Sequence, residues 1–143
     1  MPVAPLLASI ALAAPQNVDP VVRALSLRDP APCSAVEGLT PTPVDTLQHV
    51  VATVDLPPWA PMRAADCLVR GHAAEVQPSI EGWVTDPAVI GLGRLVLSDL
   101  DAMPVEVAVP VARRALAGPL ADVARSRIAR SAHPEVRAVG ETE

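Results

Sequence analysis

Trp59-Ala60-Pro61-Met62-Arg63-Ala64-Ala65-Asp66-Cys67-Leu68-Val69 is the stretch on which the reading of this chain turns. Pro61 suits the start of a helix, where its missing N–H leaves no bond unmade. On a helical wheel Met62, Ala64, Ala65, Leu68 and Val69 share one broad arc. Arg63, Asp66 and Arg70 lie opposite, in water, and Cys67 falls at the arc's edge. Small and apolar residues in this pattern suit close packing against other helices.

The same signals recur on both sides. Upstream, Thr42-Pro43-Val44-Asp45 supplies an N-cap, a first-turn Pro and a first-turn acid. Val44, Leu47, Val50, Val51 and Val54 then share a face. Two shorter candidates precede it, Val21 to Leu27 behind Asp19-Pro20 and Cys33 to Leu39. Downstream, a helix over about 74–84 offers Val76, Ile80, Trp83 and Val84 as its buried side, and its short connection predicts an antiparallel hairpin with the Trp59 helix. Thr85-Asp86-Pro87 caps a helix that is apolar on most sides and therefore lies mid-stack. Met103-Pro104 opens another, with Val105, Val109, Ala112 and Leu116 on one face and Pro110 as a potential kink. Leu120 to Ser131 is a last, Arg-rich helix.

A chain of 143 residues, half of them hydrophobic, is one domain with a usable core. With no Phe or Tyr, that core must be aliphatic, anchored by Trp59 and Trp83. The net charge of −5 and the lack of base-stacking aromatics argue against a nucleic-acid partner. All eleven basic residues are Arg, and they are unevenly placed: residues 1–104 hold five Arg and eleven acids, residues 105–138 six Arg and three acids. A basic C-terminal end can meet an acidic partner, although charge runs are commonly just solvated helix faces.

Residues 1–13 form an apolar run too short for a stable membrane anchor, ending in a small-x-small Ala11-Leu12-Ala13 pattern, so they read as a signal peptide without a basic n-region. That expectation places the protein in the periplasm or outside the cell, with no stable membrane insertion after removal of the signal. The cytoplasm is the alternative if the run is retained. The remaining boundaries are an irregular, short-helix segment at 14–41, a helical repeat domain at 42–138 and a flexible tail at 139–143.

Met62 to Leu68, Ile90 to Val96 and Val123 to Ala129 align with apolar and small residues at matching offsets, separated by 28 and then 33 residues. Such a period fits two short helices plus turns, a unit that buries its apolar face only against a neighbour. In Pro61 to Leu68, Asp86-Pro87-Ala88-Val89 and His133-Pro134-Glu135-Val136-Arg137 the chain resembles the HEAT-repeat family, particularly the short repeats of bilin-lyase-type proteins. The last of these is similar to the opening of a further repeat. Gly91 and Gly93 depart from the family's usual Ala and Arg. The chain also resembles small exported bacterial proteins in which the Trp59 to Cys67 segment pairs with an upstream Cys. The resemblance implies an all-α, right-handed stack of helix hairpins.

In an exported chain, two cysteines and no others argue for one disulfide, Cys33 to Cys67, whereas in the cytosol they are two buried thiols. Other chemistry is thin. Cys33, Cys67, His49 and His72 are zinc-ligand types at spacings that match no compact motif, so no metal is expected. Asp66, His72 and Ser79 lack a nucleophile elbow, Gly91-Leu92-Gly93 suits helix packing better than a dinucleotide loop, and Asp99 and Asp101 read as turn formers. The expectation is a non-enzymatic scaffold or adaptor without cofactor, binding an unknown protein or peptide, with Trp59, Arg113, Arg114 and Arg125 as candidate contacts. The alternatives are a lyase-like or chaperone-like subunit acting on a cofactor-bearing protein, and a structural fragment of a longer array.

Overall fold

A computed structural model describes residues 17–142 of the chain. The apolar run at 1–13, read above as a signal peptide, lies outside the described residues, as does Glu143. Within them every regular element is helical: α1 (Val18–Ser26), α2 (Cys33–Glu37), α3 (Pro43–Thr53), α4 (Trp59–His72), α5 (Gln77–Thr85), α6 (Ile90–Ser98), α7 (Val105–Leu116), α8 (Ala121–Ala129) and α9 (Pro134–Glu141). The all-α class expected from the periodicity is the one observed.

Local signals acted mostly as their chemistry requires. The Asp86 carboxylate accepts the Ala88 N–H at 2.8 Å and opens the 3₁₀ turn Pro87–Val89 that leads into α6. Helix α4 begins at Trp59, so Pro61 sits inside its first turn rather than at its first residue. Thr42 does not cap α3 with its side chain. Its hydroxyl instead joins those of Thr40 and Thr46, with 2.9 Å between the Thr40 and Thr46 oxygens and 3.2 Å between Thr42 and Thr46. Thr46 is buried, and a buried hydroxyl needs a partner more than an exposed helix end does. Helix α7 runs through Pro110 without ending.

Contacts between elements define two layers. Helix α3 packs on α4, α5 on α6 and α7 on α8, while α4, α6 and α8 neighbour one another in one layer and α5, α7 and α9 in the other. The three aligned segments are therefore α4, α6 and α8, equivalent helices of a single layer. The expected α4–α5 hairpin is corrected: the main partner of α4 is α3, and those of α5 are α6 and α7. Sequence proximity suggested the wrong pairing because α5 turns away to pack on α6 and α7, with Gly93 of α6 allowing a close approach. A Cβ on Gly93 would stand 2.6 Å from Leu120 Cδ1 and 2.7 Å from the Trp83 carbonyl oxygen. Only the bare backbone admits α5 and the Leu120 side chain so closely.

The core is aliphatic, with Leu25, Leu47, Leu68, Ile80, Leu97 and Ile128 each essentially inaccessible. Trp83 is only half-buried at its edge. On α7 the buried side is broader than the expected stripe and takes in Val107, Ala108, Val111, Ala112, Ala115 and Leu116, because α5, α8 and α9 all pack on it. Helix α6 contacts α4, α5 and α8, in keeping with its apolar character. Of the stretch expected as a flexible tail, residues 139–141 belong to α9. Val139 is buried in the core, which holds α9 helical to Glu141.

Candidate functional site

The quoted stretch does more than pack. Trp59 Nε1 donates to the Ser26 carbonyl at 3.2 Å, and the Arg63 guanidinium donates to the carbonyls of Leu25 at 2.7 Å and Leu27 at 2.5 Å. These three carbonyls end α1, where helix geometry leaves acceptors unpaired and negative partial charge accumulates. Arg63, expected to stay wet, is thus the C-terminal cap of a neighbouring helix. Trp59 stays 47% exposed, beside Leu27 at 51% and with Leu56 at 79% just before it. This end of the molecule carries an apolar edge.

The two cysteine sulfurs are bonded at 2.09 Å, joining the first residue of α2 to α4. Nearby, His72 Nε2 pairs with Glu37 of α2, and His72 Nδ1 lies 3.7 Å from Glu75. The bridge and the His72–Glu37 hydrogen bond together fasten α2 to α4. The pairing removes both thiolates from any zinc site, and among the described residues no cluster of His, Cys, Asp and Glu is arranged to hold a metal. Asp66, His72 and Ser79 are not assembled as a triad: Asp66 binds Arg70, His72 binds Glu37, and Ser79 accepts the Gln48 amide at 3.2 Å.

Two acids read as turn formers connect separate parts of the stack. Asp99 follows α6, is 6% exposed, and accepts from Arg70 at 3.0 Å through Oδ1, while its buried Oδ2 lacks a hydrogen-bond partner among the described residues. Burial first, then the neighbouring Asp66 carboxylate, push the Asp99 carboxyl up to about 7 against the opposing pull of Arg70. Asp101 accepts from Ser131 Oγ at 2.5 Å and from the Ala132 N–H at 3.0 Å, tying the α6–α7 connection to the α8–α9 turn. Its burial opposes ionisation, but the Ser131 and Ala132 hydrogen bonds, helped by the charges of His133 and Arg137, outweigh it and hold the carboxyl below its usual range. Helical periodicity could not show these partners, because each lies about thirty residues away.

Two hollows are candidates for ligands. One, about 570 Å³, lies over α3 and α5 and is walled by Val51, Trp83, Val89 and Leu92, with Gln48 and Ser79 bonded to each other on its lining. Its single charged side chain, Asp86, already accepts the Ala88 N–H. The other, about 390 Å³, is the crevice between α8 and α9, floored by Leu116, Ile128 and Ala129 and edged by Arg125 and Arg137, with Glu141 at its end. Gly140, also on its lining, lets α9 approach α8 closely, since a Cβ there would stand 3.1 Å from Ile128 Cγ2.

Of the four expected contact residues, only Arg125 lines a hollow, and its exposed ion pair with Asp122 restrains it little. Arg113 and Arg114 are exposed in the last turn of α7, outside the lining, and Trp59 belongs to the α1 end, separated from α8 by α6. Arg137 was missed; its only sequence signal was the Arg excess after residue 104. Among the described residues no helix is long and apolar enough to cross a membrane. Comparisons of the chain with protein-family models, curated proteins and solved structures find no match.

Proposed function

We propose that this chain is a non-enzymatic interaction scaffold of HEAT-like helix pairs, exported to the periplasm or beyond, whose partner is a protein or peptide. The observation that carries the reading is the α8–α9 crevice, an apolar floor between two guanidinium groups on a rigid helical stack. Arg beside buried aliphatic surface is a composition typical of recognition sites rather than of plain solvated faces. The Cys33–Cys67 bond supports an oxidising compartment, because thiols in a reducing cytosol are kept apart by the thiol buffer. Two of the three histidines are engaged in ties between elements, His72 with Glu37 and His133 with the Met103 carbonyl, as is Ser131 with Asp101.

The test is photo-cross-linking in the native host, with a light-activated residue placed singly at positions 59, 113 and 125. A discrete protein adduct from at least one position is expected. Absence of adducts from all three, with the protein folded and abundant, refutes the scaffold reading. N-terminal sequencing of the protein recovered from the periplasm tests the export part separately, since an intact Met1 there contradicts cleavage after Ala13.

A further inference from the structure

The segment that carries α2 is anchored at both ends and little in between. Before it, the Arg63 guanidinium binds the Leu27 carbonyl at 2.5 Å; after it, the Thr40 hydroxyl lies 2.9 Å from that of buried Thr46 on α3. Over residues 28–39 the backbone hydrogen bonds are all local, running from Pro32 to Thr40. Among the described residues the polar ties of this segment outward are two, Glu37 to His72 and the Asn17 amide donating to the Leu39 carbonyl at 3.1 Å. Of the five residues of α2 only Val36 is fully buried, and Leu39 just beyond is 41% exposed. A helix this short does not persist by itself, so α2 depends on what fastens it. The Cys33–Cys67 bond is its covalent fastening.

We propose that this bond is a thiol–disulfide exchange site, entered at Cys33 by a dithiol reductant, and that opening it releases residues 28–39 from α4 while α1 and α3 to α9 stay folded. The two cysteines differ in access: Cys67 is 5% exposed, whereas Cys33, the first residue of α2, is half-buried. A thiolate of the reductant attacks Cys33 Sγ; a new S–S bond forms there, the Cys33–Cys67 bond breaks, and its electron pair leaves on Cys67 Sγ, which takes a proton. The reductant's second thiolate then attacks the reductant sulfur joined to Cys33, closes the reductant's own disulfide and expels the Cys33 thiolate, which is protonated in turn. The protein gains two electrons and two protons, and the dithiol supplies both. Once the bond is open, α2 has only the burial of Val36 and its two polar ties to set against the conformational entropy of its segment. The large core residues Leu47, Leu68, Ile80, Leu97 and Ile128 all lie outside that segment, so the remaining helices keep their packing. Release withdraws Val36 from the core and leaves Cys67 as a thiol on the uncovered face of α4. This goes beyond the scaffold reading and depends on no partner: it puts one apolar surface of the domain under redox control.

The test uses the full chain, folded and oxidised, with dithiothreitol as the dithiol and no denaturant. Quenching with iodoacetamide should show both cysteines alkylated by mass spectrometry. Amide exchange at Ala35, Val36, Gly38 and Leu39, whose N–H groups are bonded within the segment, should then quicken by about tenfold or more, while Val111 and Ala112 in α7 keep their protection. Glutathione, a monothiol whose mixed disulfide is trapped by acid, should be found on Cys33 about tenfold more than on Cys67. Cys33→Ser combined with Cys67→Ser should show the faster α2 exchange with no reductant present. Resistance of the bond to dithiothreitol until urea unfolds the chain overturns the proposal, as does glutathione on Cys67. Unchanged α2 exchange after reduction also overturns it, and so does loss of α7 protection together with α2, which makes the bond a staple of the whole domain. If the double variant does not fold, the reduced natural chain still decides among these outcomes.

Discussion

Replacing Gly93 by Ala tests the central packing argument, because two known effects oppose each other there. Gly inside a helix costs about 0.5–1 kcal/mol relative to Ala, so on propensity alone the substitution stabilises. The added methyl, however, would stand 2.6 Å from Leu120 Cδ1 and 2.7 Å from the Trp83 carbonyl oxygen. Leu120 can rotate away, but the Trp83 oxygen belongs to the backbone of α5. Restoring an ordinary contact of 3.4 Å requires a displacement of 3.4 minus 2.7, or 0.7 Å, between α5 and α6. Overpacking of this kind costs about 1–3 kcal/mol, which exceeds the propensity gain, so Gly93→Ala should destabilise by about 1–2 kcal/mol. Gly82 is the internal control, since nothing lies within 4 Å of its hypothetical Cβ. Gly82→Ala should stabilise by about 0.5–1 kcal/mol. Urea unfolding followed by far-UV circular dichroism, with the disulfide intact, measures both. If Gly93→Ala proves as stable as the parent while Gly82→Ala behaves as expected, α5 and α6 are not packed through Gly93.

Reduction of Cys33–Cys67, or Cys33→Ala with Cys67→Ala, should lower stability by about 4 kcal/mol in the chain-entropy model for a separation of 34 residues, read from urea curves with and without reductant. Asp99 makes stability depend on pH: its folded value of about 7 lies above the unfolded carboxyl value, so the folded state holds the extra proton and stability falls as pH rises from about 4 to about 7. Asp99→Asn should flatten that slope, and a carboxyl carbon resonance of Asp99 titrating in the ordinary acid range would refute the assignment. Removing the Arg63 cap by Arg63→Ala should cost about 1–3 kcal/mol and loosen α1, seen as faster amide exchange over Val21 to Leu27 with α7 unaffected. Trp59→Phe, which removes the N–H and shrinks the ring while keeping an aromatic side chain, should cost about 0.5–1.5 kcal/mol and less than Trp59→Ala.

The helical class, most helix positions and the equivalence of α4, α6 and α8 are written in the chain itself, because Pro, Asp and Thr near helix starts and apolar residues at helical spacing act within a few residues of one another. The Cys33–Cys67 bond was legible as well, since two cysteines allow a single intramolecular pair. The partners of α4 were not. Helix α3 packs on α4 while α5 packs on α6 and α7, a pairing between segments that no local pattern encodes. Charged residues were misjudged for the same reason. The wheel placed Arg63, Asp66 and Arg70 opposite the core without showing that α1 ends beside Arg63 or that Asp99 lies buried beside Arg70. The excess of Arg after residue 104 announced a basic end, but only the packing of α9 on α8 set Arg125 and Arg137 on the two sides of one apolar crevice. Sequence determined which faces must be hidden, and tertiary structure decided what hides them, because burial is a property of composition and spacing whereas partnership depends on shape and charge brought together across the fold.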